Sequence, residues 1–157
     1  MVNLLDGIIG ELVDKLKAKG LWENTLVIAT ADNGGTYLLA ESGSTNYPLR
    51  GGKYTFFEGG VRAAAFLSGG YLPAAVRGTK LDQPIHISDW YATLSQLAGV
   101  APKDHAAEAS GLPPIDGVDM GPLIFNPRVT VSPRVEIPLG PNALIHDRFK
   151  FLTGKHK

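Results

Sequence analysis

Cysteine is absent from all 157 residues, which excludes disulfides, thiolate metal sites and a cysteine nucleophile. No apolar run approaches the roughly 18 residues needed to cross a bilayer, so a membrane partner is not expected. No signal-peptide pattern precedes the first helical stretch. Charge of either sign is not in excess: Lys+Arg and Asp+Glu both number 15, for a formal net charge of +0 at pH 7. A nucleic-acid-binding face would show a basic surplus, so nucleic acid is not expected as a partner. No Asn-x-Ser/Thr glycosylation acceptor occurs either. What the chain does contain is 44% hydrophobic residues, sufficient for a folded core rather than wholesale disorder. Its 19 glycines and 11 prolines suit an α/β protein with long loops.

Leu4, Leu5, Ile8, Ile9, Leu12, Val13 and Leu16 recur at helical spacing, with Asp6, Glu11, Asp14, Lys15 and Lys17 filling the remainder. Residues 2–19 are therefore predicted to form an amphipathic helix, stopped by Gly20. Thr25–Ala31 is a continuous β-branched and apolar run that fits a strand buried on both faces of a parallel sheet. Residues 33–60, rich in Gly, Ser, Thr, Asn and Pro, read as a long loop, and loops of that length are usually functional or disordered. Val61–Leu67 reads as a second buried strand. Ser88 or Asp89 is placed to cap a helix with Trp90, Tyr91, Leu94, Leu97 and Ala98 on its inner side and Gly99 at its end. Residues 100–122 read as loop. From Arg134 short strands follow, with Leu144-Ile145 and Phe149-Lys150-Phe151 flanking a His146-Asp147-Arg148 turn in an expected hairpin.

The chemistry concentrates in one segment. Ligands of open α/β sheets bind beyond the carboxyl ends of the strands, the position that Asp32 and Asn33 occupy on the strand 25–31. A carboxylate and an amide carbonyl are hard oxygen donors suited to Ca²⁺ or Mg²⁺. Gly34 and Gly35 permit close backbone approach to a ligand, although Asn-Gly is equally a favoured turn dipeptide. Lys53 stands in Arg50-Gly51-Gly52-Lys53. There it is either a compact cation for a tetrahedral oxyanion or a solvated surface lysine. Two unit charges ~4 Å apart at an effective dielectric of ~20 interact by about 4 kcal/mol. Glu58 and Arg62, four apart around Gly59-Gly60, suit a structural ion pair, and Arg50 could face an anion or brace the loop.

In order, these pieces resemble the sulfatase family of the alkaline-phosphatase superfamily, specifically its arylsulfatase B-like members. The likeness rests on Asn24-Thr25-Leu26-Val27-Ile28 running into Asp32-Asn33-Gly34-Gly35, and on Asn46-Tyr47-Pro48-Leu49-Arg50-Gly51-Gly52-Lys53 continuing to Glu58-Gly59-Gly60-Val61-Arg62. Ile85-His86-Ile87-Ser88-Asp89-Trp90 with Thr93-Leu94, then Asp116-Gly117-Val118-Asp119, complete it. The resemblance implies an α/β fold: part of an alkaline-phosphatase-like sandwich, a mostly parallel sheet with flanking helices, over residues 1–125. A small antiparallel subdomain with a hairpin would begin over residues 126–157. It further implies that Asp32 and Asn33 are the second pair of calcium ligands and that Lys53 holds the oxygens of a sulfate ester. In the family a formylglycine hydrate attacks sulfur while Ca²⁺ fixes nucleophile and sulfate, which is metal-ion and electrostatic catalysis.

The family's nucleophile motif, Cys-x-Pro-x-Arg or its Ser form, is not in this sequence; Ser132-Pro133-Arg134 has the wrong spacing. The first pair of calcium aspartates, the Lys-x-His motif and a second active-site histidine are also missing, and their expected place is upstream of Met1. His86 precedes a helix cap and reads as structural, whereas His105, His146 and His156 fall in a loop, a turn and the tail. The expectation is the carboxyl-terminal portion of a sulfuric ester hydrolase, contributing half a calcium–sulfate site for an aryl or glycan sulfate ester. Alone it is expected to be inactive, and a complementing amino-terminal portion is its implied partner. The alternative is a short non-catalytic protein that binds sulfated glycans or completes another chain's sheet. A phosphoryl-transfer relative with paired zinc ions fits less well, because the amide of Asn33 suits calcium. The resemblance also implies the secretory pathway, lysosome or extracellular space.

Overall fold

The first helix, α1 (Val2–Ala18), follows the periodicity of its sequence and ends in a left-handed cap at Gly20, where φ is +68°. The N–H of Leu21 bonds the Leu16 carbonyl at 2.9 Å and that of Gly20 bonds Lys17 at 3.0 Å, the double closure of a Schellman motif. These coordinates are a computed structural model, which describes residues 2–36 and 43–154. Part of the long loop expected over 33–60, residues 37–42, lies outside the described residues, as does His156. The chain forms two compact units, Met1–Arg77 and Gly78–Lys157. The domain boundary read from the sequence at 125/126 falls inside the second of these.

In the first unit a short 3-10 turn, Trp22–Asn24, leads from α1 into β1 (Val27–Thr30). A one-turn helix, α2 (Glu58–Val61), precedes β2 (Ala65–Ser68). The two strands pair antiparallel, with Val27 opposite Ser68 and Thr30 opposite Ala65. This corrects the expectation of a mostly parallel sheet: among the described residues every strand pairing is antiparallel. Parallel pairing needs a crossover, usually a helix, and the described part of the 31–64 connection holds only the single turn of α2. The strand expected from Val61 starts later because that turn occupies Glu58–Val61. Nor is β1 buried on both faces; Val27, Ile28 and Ala29 are half-buried and Thr30 is exposed. Leu72 is the unit's buried apolar side chain among the described residues. Arg77 ties down the chain around it, donating from Nε to the Leu72 carbonyl at 2.9 Å and from Nη2 to that of Gly70 at 2.8 Å.

The second unit carries most of the core: Ala92, Met120, Leu123, Ile124, Ile137 and Ala143. Its helix α3 (Asp89–Leu97) closes with Gly99 at φ +73°, as expected, but with a different face inward. Asp89, Ala92 and Thr93 are buried, while Tyr91 and Leu94 are 54% and 42% exposed. Polar partners decide the phase, since the Thr93 hydroxyl accepts the Met120 N–H at 2.9 Å and Asp89 is anchored by an arginine described below. Ser88 occupies the cap position without capping; its hydroxyl pairs with His86 Nδ1 at 2.8 Å. The stretch 100–122 is not all loop. Asp104 accepts the Ala107 N–H at 2.9 Å and starts α4 (His105–Ala109), a side-chain cap of ordinary type. Pro122 stands in the first turn of α5 (Gly121–Phe125), where a missing N–H costs nothing. The strands β3 (Glu136–Gly140), β4 (Ala143–His146) and β5 (Phe149–Leu152) form an antiparallel meander. The expected hairpin is β4–β5, with His146 opposite Phe149 and Asp147 turning at φ +52°.

Candidate functional site

Pairing of the first sheet runs on past β1, where the Ala31 N–H bonds the Ala64 carbonyl at 2.9 Å, and the chain then enters the segment bearing Asp32 and Asn33. Two loops are laced to it. The Gly34 N–H donates to Gly60 at 2.9 Å, the Lys53 N–H to the Gly35 carbonyl at 3.0 Å, and the Gly59 N–H to Arg50 at 2.8 Å. Asn46 clamps the same junction with both ends of its amide. Its Oδ1 accepts the Gly35 N–H at 2.8 Å, and its Nδ2 donates to the carbonyls of Gly35 at 2.7 Å and Gly51 at 3.1 Å. The backbones of the acid–amide segment and of the lysine loop are thus neighbours, eighteen residues apart in sequence yet directly hydrogen-bonded.

Close packing of backbone on backbone makes this possible. A Cβ at Gly34 would lie 1.7 Å from the Gly59 carbonyl oxygen, and one at Gly59 would lie 2.2 Å from that of Gly51. Both glycines therefore serve contact between layers of chain. At Gly34 the room that the sequence suggested for a ligand is taken by the neighbouring loop.

The Asp32 side chain is exposed, and among the described residues it has neither a hydrogen-bond nor an ion-pair partner. The Asn33 amide donates from Nδ2 to the Gly34 carbonyl at 2.8 Å, the local bond of an Asn-Gly turn, which leaves its Oδ1 to accept. The half-buried Lys53 has its ammonium 5.6 Å from the centre of the Tyr54 ring and no carboxylate partner among the described residues. Oxygen donors and a cation that are not spent on each other keep their capacity for a bound metal or anion. The neighbouring charges are committed. Arg50 sits 4.0 Å over the Phe57 ring and so braces its loop. Arg62 and Glu58 form a solvent-side pair at 4.0 Å.

The donor set passes a chemical test for calcium in part. Asp32 and Asn33 are adjacent hard oxygens, but Ca²⁺ takes about six to eight. Among the described residues no three His, Cys, Asp or Glu side chains gather as a metal cluster. Reading by motif placed Asn46 in a block of likeness but missed its role as a clamp, because a clamp built from backbone partners has no fixed spacing. It also missed the role of Arg134, whose guanidinium pairs with the fully buried Asp89 of the second unit. The backbone N–H of His86 donates to Asp89 Oδ2 at 2.8 Å, and its ring Nδ1 pairs with the Ser88 hydroxyl at 2.8 Å.

Comparison with known proteins bears directly on these loops. The sulfatase family model matches residues 1–100. Mouse (Mus musculus) arylsulfatase J is 40% identical over 98 residues, covering 62% of this chain and 16% of the relative. Human (Homo sapiens) arylsulfatase A is 36% identical over 157 aligned residues, covering 98% of this chain and 28% of its own length. The crystal structure of the PsFucS1 sulfatase from Pseudoalteromonas sp. superposes with a TM-score of 0.75 at 32% identity, over 92% of this chain and 28% of that one. The chain thus spans well under a third of the length of these relatives.

Proposed function

The chain belongs to the sulfatase family, and on that premise we propose that its first unit supplies half of a site for hydrolysing sulfate monoesters. Asp32 and Asn33 would hold Ca²⁺ through their side-chain oxygens, and Lys53 would meet the sulfate oxygens. The observation that carries this reading is the lacing of the Lys53 and Asp32–Asn33 segments through Gly35 and Asn46. Calcium, when bound, would polarise the sulfate and neutralise charge that grows on its oxygens. Lys53 would add a fixed cation to the same oxygens, where preorganised charge lowers the barrier most. Two oxygens are too few to hold calcium tightly, and a chain without cysteine or the Ser form of the motif provides no formylglycine. Hydrolysis of aryl or glycan sulfates accordingly belongs to a whole sulfatase domain rather than to these residues alone.

The test is a chemical-shift titration of the 157-residue chain with calcium chloride, then sodium sulfate. Asp32→Ala with Asn33→Ala should abolish the calcium response, and Lys53→Ala should weaken the sulfate response. Unchanged affinities in these variants, or turnover of 4-nitrophenyl sulfate by the unmodified chain, would overturn the assignment.

A specific observation also favours a complementing polypeptide. Leu4, Leu5, Ile8 and Leu12 of α1 are 70%, 58%, 56% and 54% exposed, and no residue of that helix is buried. An amphipathic stripe of this size is ordinarily covered. We assign the cover to further sulfatase-domain polypeptide, in the same or another chain. Mixing with the amino-terminal portion of a relative that carries the nucleophile motif should restore hydrolysis. Binding of sulfated glycans with no restoration would favour the non-catalytic alternative.

A further inference from the structure

Lys53 and Tyr54 are the central residues of a tight turn in which the Thr55 N–H bonds the Gly52 carbonyl at 3.0 Å. The Thr55 hydroxyl reinforces it, donating to the same carbonyl at 2.8 Å. Tyr54 has φ +76°, the value that the third position of a type II turn requires and that glycine normally supplies. A bulky residue there is a true outlier, in a loop where Gly51, Gly52, Gly59 and Gly60 show glycine to be well tolerated nearby. Packing does not offset the strain, since the side chain is 82% exposed. Among the described residues the ring's contact is the Lys53 ammonium, 5.6 Å from its centre. Strain at an exposed, unpacked aromatic beside an oxyanion-binding cation points to a ligand that uses the ring.

We infer that Tyr54 is the ring-contacting specificity residue of this site, its face packing against the aryl or sugar ring of a sulfate monoester whose sulfate Lys53 holds. The inference rests on the sulfate reading of Lys53 given above. With the ammonium 5.6 Å from the ring centre, the ester ring of a sulfate bound to it can reach the ~4.5–7 Å range over which rings pair. A flat phenol face suits either an aromatic ring or the C–H face of a sugar, and inorganic sulfate has no such group to present to it.

The experiment titrates the full chain, in millimolar calcium, with sodium sulfate, phenyl sulfate and N-acetylgalactosamine 6-sulfate. The unmodified chain should prefer at least one ring ester over inorganic sulfate, and which one identifies the ring. Tyr54→Gly, which suits the positive φ and preserves the turn, should weaken that ester by about two- to ten-fold, the scale of one ring pair, with inorganic sulfate unchanged. Tyr54→Trp should retain the preference. Lys53→Ala should weaken all three ligands. Loss of ring-ester binding in Lys53→Ala but not in Tyr54→Gly would overturn the role of Tyr54 and leave that of Lys53 standing. Equal loss of all three in Tyr54→Gly would show a structural role only and overturn it as well. Binding indifferent to Lys53→Ala would remove the underlying sulfate reading, and the inference with it.

Discussion

Replacing Arg134 by alanine should strongly destabilise the second unit. Asp89 is 0% exposed at its side chain and Arg134 is 8% exposed. The Arg134 Nε donates to Asp89 Oδ2 at 2.7 Å and Oδ1 at 2.9 Å, and its Nη2 also pairs with Oδ1. The remaining guanidinium hydrogens reach the carbonyls of Glu136 at 3.0 Å and Asp116 at 2.7 Å. The carboxylate in turn accepts the N–H groups of His86 and Val118, each at 2.8 Å. One ion pair therefore joins the start of α3, the 116–118 segment and the approach to β3. Deleting one partner of such a pair strands a buried charge at a cost of about 3–5 kcal/mol. A unit of roughly 80 residues has a total stability of about 4–12 kcal/mol, so about a quarter of it or more should be lost.

The two tryptophans make the measurement local, because Trp22 lies in the first unit and Trp90 in the second. In a Trp22→Phe background, urea unfolding followed by Trp90 fluorescence reports the second unit alone. With a slope of about 1 kcal/mol per molar urea, the midpoint of Arg134→Ala should fall by about 3 M or more, or the unit should be unfolded in buffer. Asp89→Ala should cost a similar amount, and the double variant should cost clearly less than the sum, because the two residues act as one unit. A midpoint shift below about 1 M for Arg134→Ala, or strict additivity in the double variant, would refute this account of the pair.

The first unit yields predictions of the opposite kind, about backbone contacts. Gly34→Ala places a methyl 1.7 Å from the Gly59 oxygen and should destabilise the unit by several kcal/mol, on the order of other severe backbone conflicts, as read by Trp22 fluorescence in urea. Asn46→Ala removes three bonds to the backbone and should cost about 1–3 kcal/mol, with faster amide exchange at Gly35 and Lys53 as its local signature. Tyr54→Gly should raise stability by about 1 kcal/mol, since it relieves a positive φ. A decrease would mean that contacts of the ring in the folded chain outweigh the strain.

What was legible in the sequence divides along physical lines. Helix α1 and the β4–β5 hairpin were readable because periodicity and turn residues act locally, within a few positions. The existence of α3 was readable for the same reason, but its buried face was not. Asp89 and Thr93 point inward only because Arg134 and the Met120 N–H meet them there, and such partners, 45 and 27 residues distant, leave no trace in a helical wheel. Pairing direction was likewise illegible, since an apolar run such as Val27–Thr30 is compatible with either sense. The candidate residues Asp32, Asn33 and Lys53 were named as an ordered set through family resemblance, whereas the contacts that bring their loops together run through glycine backbone and Asn46.

That last contrast bears on how the site is kept in shape. A conventional site borrows rigidity from a packed core beneath it, yet in the first unit Leu72 is the buried apolar side chain among the described residues. The Asp32–Asn33 and Lys53 segments are instead held by hydrogen bonds among Gly34, Gly35, Arg50, Gly59 and Gly60, with Asn46 as the side-chain bridge. Bonds of this kind contribute about 1 kcal/mol each, and they fray individually where water can compete. Covering the exposed face of α1 should therefore do more than hide apolar surface. If the proposed complementing polypeptide adds to the small core that the described residues form, amide exchange at Gly34, Gly35 and Lys53 should slow even before substrate is added. If exchange at those amides stays the same while α1 becomes protected, the loops hold their geometry without help from packing, and preorganisation must be credited to the glycine contacts alone.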